Sequence, residues 1–100
     1  MYYIYILQSE SSDKYYVGYS SDPFKRINEH NNSPFPTYTS KYRPWNLKAI
    51  YSCGDKMNMA IEIERFIKKQ KSRRLIQNLI EGRTLTGILA QLVKVPHMRD

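Results

Sequence analysis

The first twenty positions hold two short runs of aromatic and β-branched residues with a polar stretch between them. The run "YYIYILQS" (residues 2–9) has strand character, "ESSD" reads as a turn, and "KYYVGY" (residues 14–19) completes a hairpin. Gly18 in the second run has no side chain to pack, so it marks a bulge or a close approach to the backbone. Asp22 is a good N-cap and Pro23 suits a first helical position, which predicts a helix from Pro23 to about Asn31. On it Arg26 and His30 share a face at i,i+4, and Phe24 and Ile27 lie on another. The apolar face is expected to pack and the other to present charge.

Residues Asn32 to Trp45 carry Pro34, Pro36 and Pro44 among Tyr38, Tyr42 and Trp45, the pattern of a long loop, and long loops in small domains are often functional. "NLKAIYS" (residues 46–52) is a third strand. A second helix is expected from about Met57 to Lys71, with an apolar arc of Met59, Ala60, Ile63, Phe66 and Ile67. A third, Ser72 to Glu81, buries Leu75, Ile76, Leu79 and Ile80, with Gly82 as its C-terminal cap. The remainder reads as one short helix ended by Pro96, with His97 a surface residue of the tail. There is no internal repeat and no low-complexity tract.

Composition narrows the picture. One hundred residues suit one domain with a single core, and 41% hydrophobic with 13% aromatic residues argue for a folded chain. The N-terminus lacks a basic leader and a small-residue cleavage site, and no apolar run approaches the roughly 18 residues that span a bilayer, so no membrane partner and a cytoplasmic location are expected. Cys53 is the single cysteine, which excludes an intramolecular disulfide and a multi-cysteine metal site and suits a reducing compartment.

Charge adds a partner class. A net charge of +7 and a pI near 9.6 favour a polyanion. The cations Lys68, Lys69, Lys71, Arg73 and Arg74 cluster, and Lys41 and Arg43 flank an aromatic segment; basic side chains among rings suit phosphate contact and base stacking. A solvated helix face is the competing reading of the same cluster.

The element order strand, strand, helix, loop, strand, helix, helix, with Tyr3-Ile4-Tyr5 on the first strand and Tyr16-Val17-Gly18 on the second, resembles the GIY-YIG nuclease superfamily. The resemblance extends to Arg26 ten residues after Tyr16, to His30 four further on, and to an acidic residue on the second helix. With "KYRPW" and "IKKQKSRR" it is nearest to the small single-domain bacterial members. It implies an α+β fold with a three-stranded antiparallel sheet flanked by helices, a nuclease-like domain over residues 1–82 and a C-terminal extension over 83–100. Tyr3 stands where the family name has glycine, and Tyr19-Ser20 where some repair members carry a lysine.

The implied activity is hydrolysis of DNA phosphodiesters with low sequence specificity. That chemistry needs an activated water, a cation against the phosphate oxygens and help for the leaving oxygen. The resemblance assigns Tyr5 and Tyr16 to proton transfer, Arg26 to the scissile phosphate through its planar fork, and His30 to a phosphate oxygen or a proton. It also implies one divalent cation, magnesium or manganese, on a carboxylate, and no small-molecule cofactor. Glu62 and Glu64 flank opposite edges of the apolar arc, so periodicity does not choose between them; the family register implies Glu64. Each residue also has a plain alternative. Strand tyrosines ordinarily pack, an Arg and His at i,i+4 ordinarily face solvent, and Glu64 can pair with Lys68. Two other functional readings are a nucleic-acid-binding module with little or no catalysis and an adaptor whose basic helix meets an acidic partner.

Overall fold

In the computed structural model, which describes residues 1–34 and 37–96, the N-terminal runs pair as antiparallel strands β1 (Tyr3–Ser9) and β2 (Tyr15–Ser20). On its other side β1 pairs antiparallel with β3 (Trp45–Ser52). A central strand is covered on both faces, which is why Ile4, Tyr5, Ile6 and Leu7 are all buried in succession instead of alternating. Side chains on the Ile4 and Ile6 face pack with Val17, Ala49 and Tyr51 against helices α2 (Met57–Gln70) and α3 (Arg73–Glu81). Tyr5, Leu7, Trp45 and Ile50 form a smaller cluster on the opposite face, joined by Tyr16, Ile27 and Tyr42. The candidate chemistry lies on that second face.

Helix α1 (Pro23–Asn32) begins as its residues dictate, with the Asp22 carboxylate accepting from the Lys25 amide at 3.2 Å and Pro23 in the first turn. Its orientation differs from the expectation. His30 is buried at 6% exposure and Phe24 is 57% exposed, while Ile27 packs into the second cluster as expected and Arg26 stays exposed. The reason is a polar partner on β1 that outweighs the burial of one ring. Similarly Phe66, counted in the apolar arc of α2, is exposed, and Ala60, Ile63 and Ile67 carry the contact. Lys71 ends α2 in the left-handed region at φ 48°, and Ser72 then caps α3 by accepting from the Leu75 amide at 3.0 Å. Gly82 ends α3 at φ 75°, a conformation that glycine adopts without strain.

The sheet has four strands, not the expected three. After a 3₁₀ turn at Gly87–Gln91, the two-residue strand β4 (Val93–Lys94) pairs antiparallel with Ser52 and Tyr51, giving the order β2-β1-β3-β4. The short terminal helix expected before Pro96 is reduced to this 3₁₀ helix. Leu85, Ile88, Leu89 and Leu92 recur at helical spacing, but Leu89 and Leu92 are used to seal the core while the following residues cover part of the β3 edge. A strand of two residues leaves no periodicity to read. Pro36 and His97 lie outside the described residues. Among the described residues no helix is long and apolar enough to cross a membrane.

Candidate active site

Tyr5 is the centre of the site. Its Cα pairs with Gly18 across the β1–β2 ladder, and its ring lies over that residue, so that a Cβ there would stand 2.5 Å from Cζ. The close approach expected at Gly18 is therefore made by a side chain, and the bulge lies elsewhere, between Ile6 and Leu7 in the β1–β3 pairing. With glycine beneath it the phenol reaches His30 on α1, Oη to Nε2 at 2.9 Å.

His30 is held from its other side as well. Nδ1 is 3.0 Å from the Thr39 hydroxyl, which is 3.1 Å from that of Thr37. Thr39 is buried, and its carbonyl accepts from the Trp45 indole at 2.7 Å. Burial, first, and then the positive charge of Arg26 pull the His30 pKa down to about 4; Glu29 acts against this and Arg43 adds to it. The ring is neutral at neutral pH. Burial pushes the Tyr5 phenol up to about 12, helped by Tyr16 and, to a smaller extent, by Glu64, while the charge and hydrogen bonding of Arg26 oppose the rise. Hydrogen-bond directions that satisfy the chain run from the Tyr5 hydroxyl to Nε2, and from Nδ1–H to Thr39.

The remaining candidates gather around this pair. The Tyr16 ring centroid lies 4.8 Å from that of His30, edge to face, and 6.4 Å from that of Tyr5. Arg26 stands one turn before His30 at the mouth of the site, with Nη1 bonded to Glu29 at 2.7 Å. Glu64 reaches in from α2: its side chain is 16% exposed, its charge is felt at Tyr5, and Lys68 pairs with it at 3.4 Å. Lys68 Nζ also lies 5.2 Å over the Tyr16 ring. Glu62 faces away, lining a separate cavity with Asn58, Ile61 and Arg65. Tyr5, Tyr16, Arg26, His30 and Glu64 are thus brought together from four elements.

The basic residues divide. Lys68, Lys71 and Arg73 line a cleft beside Tyr16, whereas Lys69 and Arg74 are exposed outside its lining. Arg43 is turned inward, Nε donating to the His30 carbonyl at 2.6 Å and Nη2 to that of Ser33 at 2.8 Å, and so closes the C-terminal end of α1. Lys41 is exposed on the 3₁₀ turn Thr39–Tyr42. Sequence reasoning missed Thr39, Lys14 and the placement of Tyr38. A threonine in a loop carries no local signal, because its role is set by a histidine nine residues earlier.

The donor set suits a cation that keeps much of its water. Among the described residues no group of three or more His, Cys, Asp and Glu side chains is placed to enclose a metal, and Glu64 offers one carboxylate toward the tyrosines. One carboxylate with open positions is how magnesium is commonly held; a structural zinc cage needs more.

Residues 1–77 match the family model described as the GIY-YIG catalytic domain. The chain is also similar to the structure-specific endonuclease subunit SLX1 of the yeast Meyerozyma guilliermondii, at 33% identity over 78 residues, covering 73% of this chain and 26% of the relative. The chain spans about a quarter of the length of that relative.

Proposed function

Because the chain belongs to the GIY-YIG family and is an endonuclease by that membership, we propose that it hydrolyses DNA phosphodiesters in a magnesium- or manganese-dependent reaction of low sequence specificity, with a role in DNA repair or recombination. The observation that carries the reading is the convergence of the Tyr5–His30 pair, Tyr16, Arg26 and Glu64 beside a basic cleft. Residues 1–82 form the nuclease module in this reading and 83–100 an extension to it. A cytoplasmic, reducing setting accords with the one buried thiol of Cys53.

Arg26 binds the scissile phosphate; its fork matches two phosphate oxygens, and incoming phosphate competes with Glu29 for it. His30, neutral and fixed at both nitrogens, holds Tyr5 with its hydroxyl directed and its proton retained. Tyr5 on this account orients the reacting groups and passes a proton only when positive charge is brought against its oxygen. Tyr16, less buried and at the mouth of the site with Lys68 Nζ over its ring, takes the proton from water in its phenolate form and becomes the neutral phenol. Glu64 would hold the divalent cation, which when bound supplies charge against the phosphate oxygens. Lys68 then turns from Glu64 to the DNA backbone.

The test is incubation of the purified protein with plasmid and with branched DNA, with magnesium and with chelator. Cleavage that requires the metal is expected. Binding that survives chelation with no cleavage under any metal would favour a binding module, and no nucleic-acid binding at all would favour an adaptor.

A further inference from the structure

Lys68 stands among three groups of the candidate site. Its Nζ is 3.4 Å from Glu64 Oε2, one turn back on α2, and 5.2 Å over the Tyr16 ring, and its side chain lines the basic cleft with Lys71 and Arg73. The lysine side chain is 47% exposed and the carboxylate 16%, so Lys68 is the outer cover of the group that would hold the divalent cation. Among the described residues Lys68 is the cation paired with Glu64; Arg26 is held by Glu29 and Arg73 by Asp13.

The pair is loose. Charge-assisted bonds close to about 2.7–2.9 Å, as Arg26 and Glu29 do at 2.7 Å, whereas Lys68 stops well outside that range. A half-exposed i,i+4 lysine pair is weak, and an ammonium on a flexible four-carbon stem re-aims readily. A dication carries twice the charge and needs only one carboxylate with water, so it displaces the lysine. The displaced ammonium stays local, because its stem is rooted in the wall of the cleft. While the site is empty Lys68 neutralises Glu64, and DNA meets no bare carboxylate beside the tyrosines; once the site is loaded, dication and freed ammonium both face phosphate.

We propose that Lys68 is the resident counter-ion of the empty metal site, displaced from Glu64 by the divalent cation and passed to a DNA phosphate, so that metal and DNA bind cooperatively. The inference rests on the reading of Glu64 as the ligand of the cation. Linkage makes the coupling reciprocal: if the metal frees a phosphate contact, DNA raises the affinity for metal by the same factor. A half-exposed ion pair sets that factor at about two- to fivefold.

The experiment measures Mn²⁺ affinity by electron paramagnetic resonance, without DNA and with a saturating short duplex, corrected for Mn²⁺ bound by the duplex alone. All chains carry Tyr16→Phe, expected to slow cleavage while keeping the ring under Lys68. Without DNA, Lys68→Met should bind Mn²⁺ about two- to fivefold more tightly than the chain with Lys68. Lys71→Met removes the same charge from the same cleft but no partner of Glu64, and should leave the affinity unchanged. Adding duplex should tighten Mn²⁺ binding more in the chain with Lys68 than in Lys68→Met. An unshifted Lys68→Met, an equal gain in Lys71→Met, an equal effect of duplex with and without Lys68, or Mn²⁺ binding that survives Glu64→Gln overturns the proposal. Circular dichroism checks that each exposed substitution leaves the fold intact. Coupling through Lys68 in a parent chain that cleaves nothing with magnesium would overturn the nuclease reading and leave this one standing; metal-dependent cleavage with no effect of Lys68 on Mn²⁺ would do the reverse.

Discussion

The ring of Tyr5 rests on Gly18, its cross-strand neighbour, at a distance that leaves no room for a methyl group. Two facts about the chain meet in that contact. A strand glycine normally weakens a sheet, yet here its bare Cα lets a tyrosine lie flat enough to reach His30.

Gly18→Ala should therefore act on chemistry as well as stability. The added Cβ must push against a phenol that is 1% exposed and anchored at its hydroxyl, so the ring cannot simply swing aside. A loss of about 1–3 kcal/mol is expected, in the range for overpacking, with cleavage reduced because the Tyr5–His30 distance changes. Chemical denaturation and cleavage rates measure the two effects. A variant as stable and active as the parent would show that Tyr5 has room to move.

Acid should loosen the fold through His30. Its folded pKa of about 4 lies below the ordinary 6.5, because burial and then Arg26 disfavour the charged ring. Between those values the unfolded chain binds more protons than the folded one, so stability rises with pH across the window and is lost as pH falls through it. The loss attributable to this ring is about 1–3 kcal/mol. His30→Gln should be less stable at pH 7 but show a shallower decline from pH 6.5 to 4. Coincident pH slopes for parent and variant would mean that the ring is not held neutral.

The hairpin and all three helices were legible because their signals are local: Asp22-Pro23, Ser72 and Gly82 mark ends within one or two residues of where they fall. The inward turn of His30 was not, since a helical wheel shows that Arg26 and His30 share a face but not which face is covered. That is decided by Tyr5, 25 residues away in sequence. Glu62 and Glu64 were ambiguous for the same reason: each borders the apolar arc, and only the packing of α2 beside β2 separates the edge near Tyr5 from the edge near Asn58. The fourth strand escaped because the leucines that precede it suit a helix as well as a sealed edge.

Tyr16→Phe removes a hydroxyl and keeps the ring that packs edge-on to His30. If Tyr16 transfers a proton, cleavage should fall by about 10²-fold or more while DNA binding and melting temperature barely change. Arg26→Lys should recover little of the activity lost in Arg26→Ala, because a point charge lacks the fork. Stability lost with activity retained in Tyr16→Phe would assign this tyrosine to packing alone.

Glu64→Gln carries the sharpest test of the site. The substitution keeps size and helix propensity but removes the one charge on α2 that faces Tyr5, and with it the partner of Lys68. Magnesium-dependent cleavage should fall by about 10²-fold or more, while DNA binding in chelator persists or tightens, because a carboxylate that repels phosphate is gone and Lys68 is released. The push that Glu64 exerts on Tyr5 should also lessen, a small downward move of the phenol that ultraviolet titration of the variant can detect. Glu62→Gln is the control on the same helix; its side chain lines the cavity with Asn58 and Arg65, so the variant should stay active. Loss of cleavage in Glu62→Gln with Glu64→Gln active would place the metal on the other edge of α2. Full activity in both, at unchanged magnesium dependence, would mean that this helix holds no cation and that the hydrolytic scheme built on it is wrong.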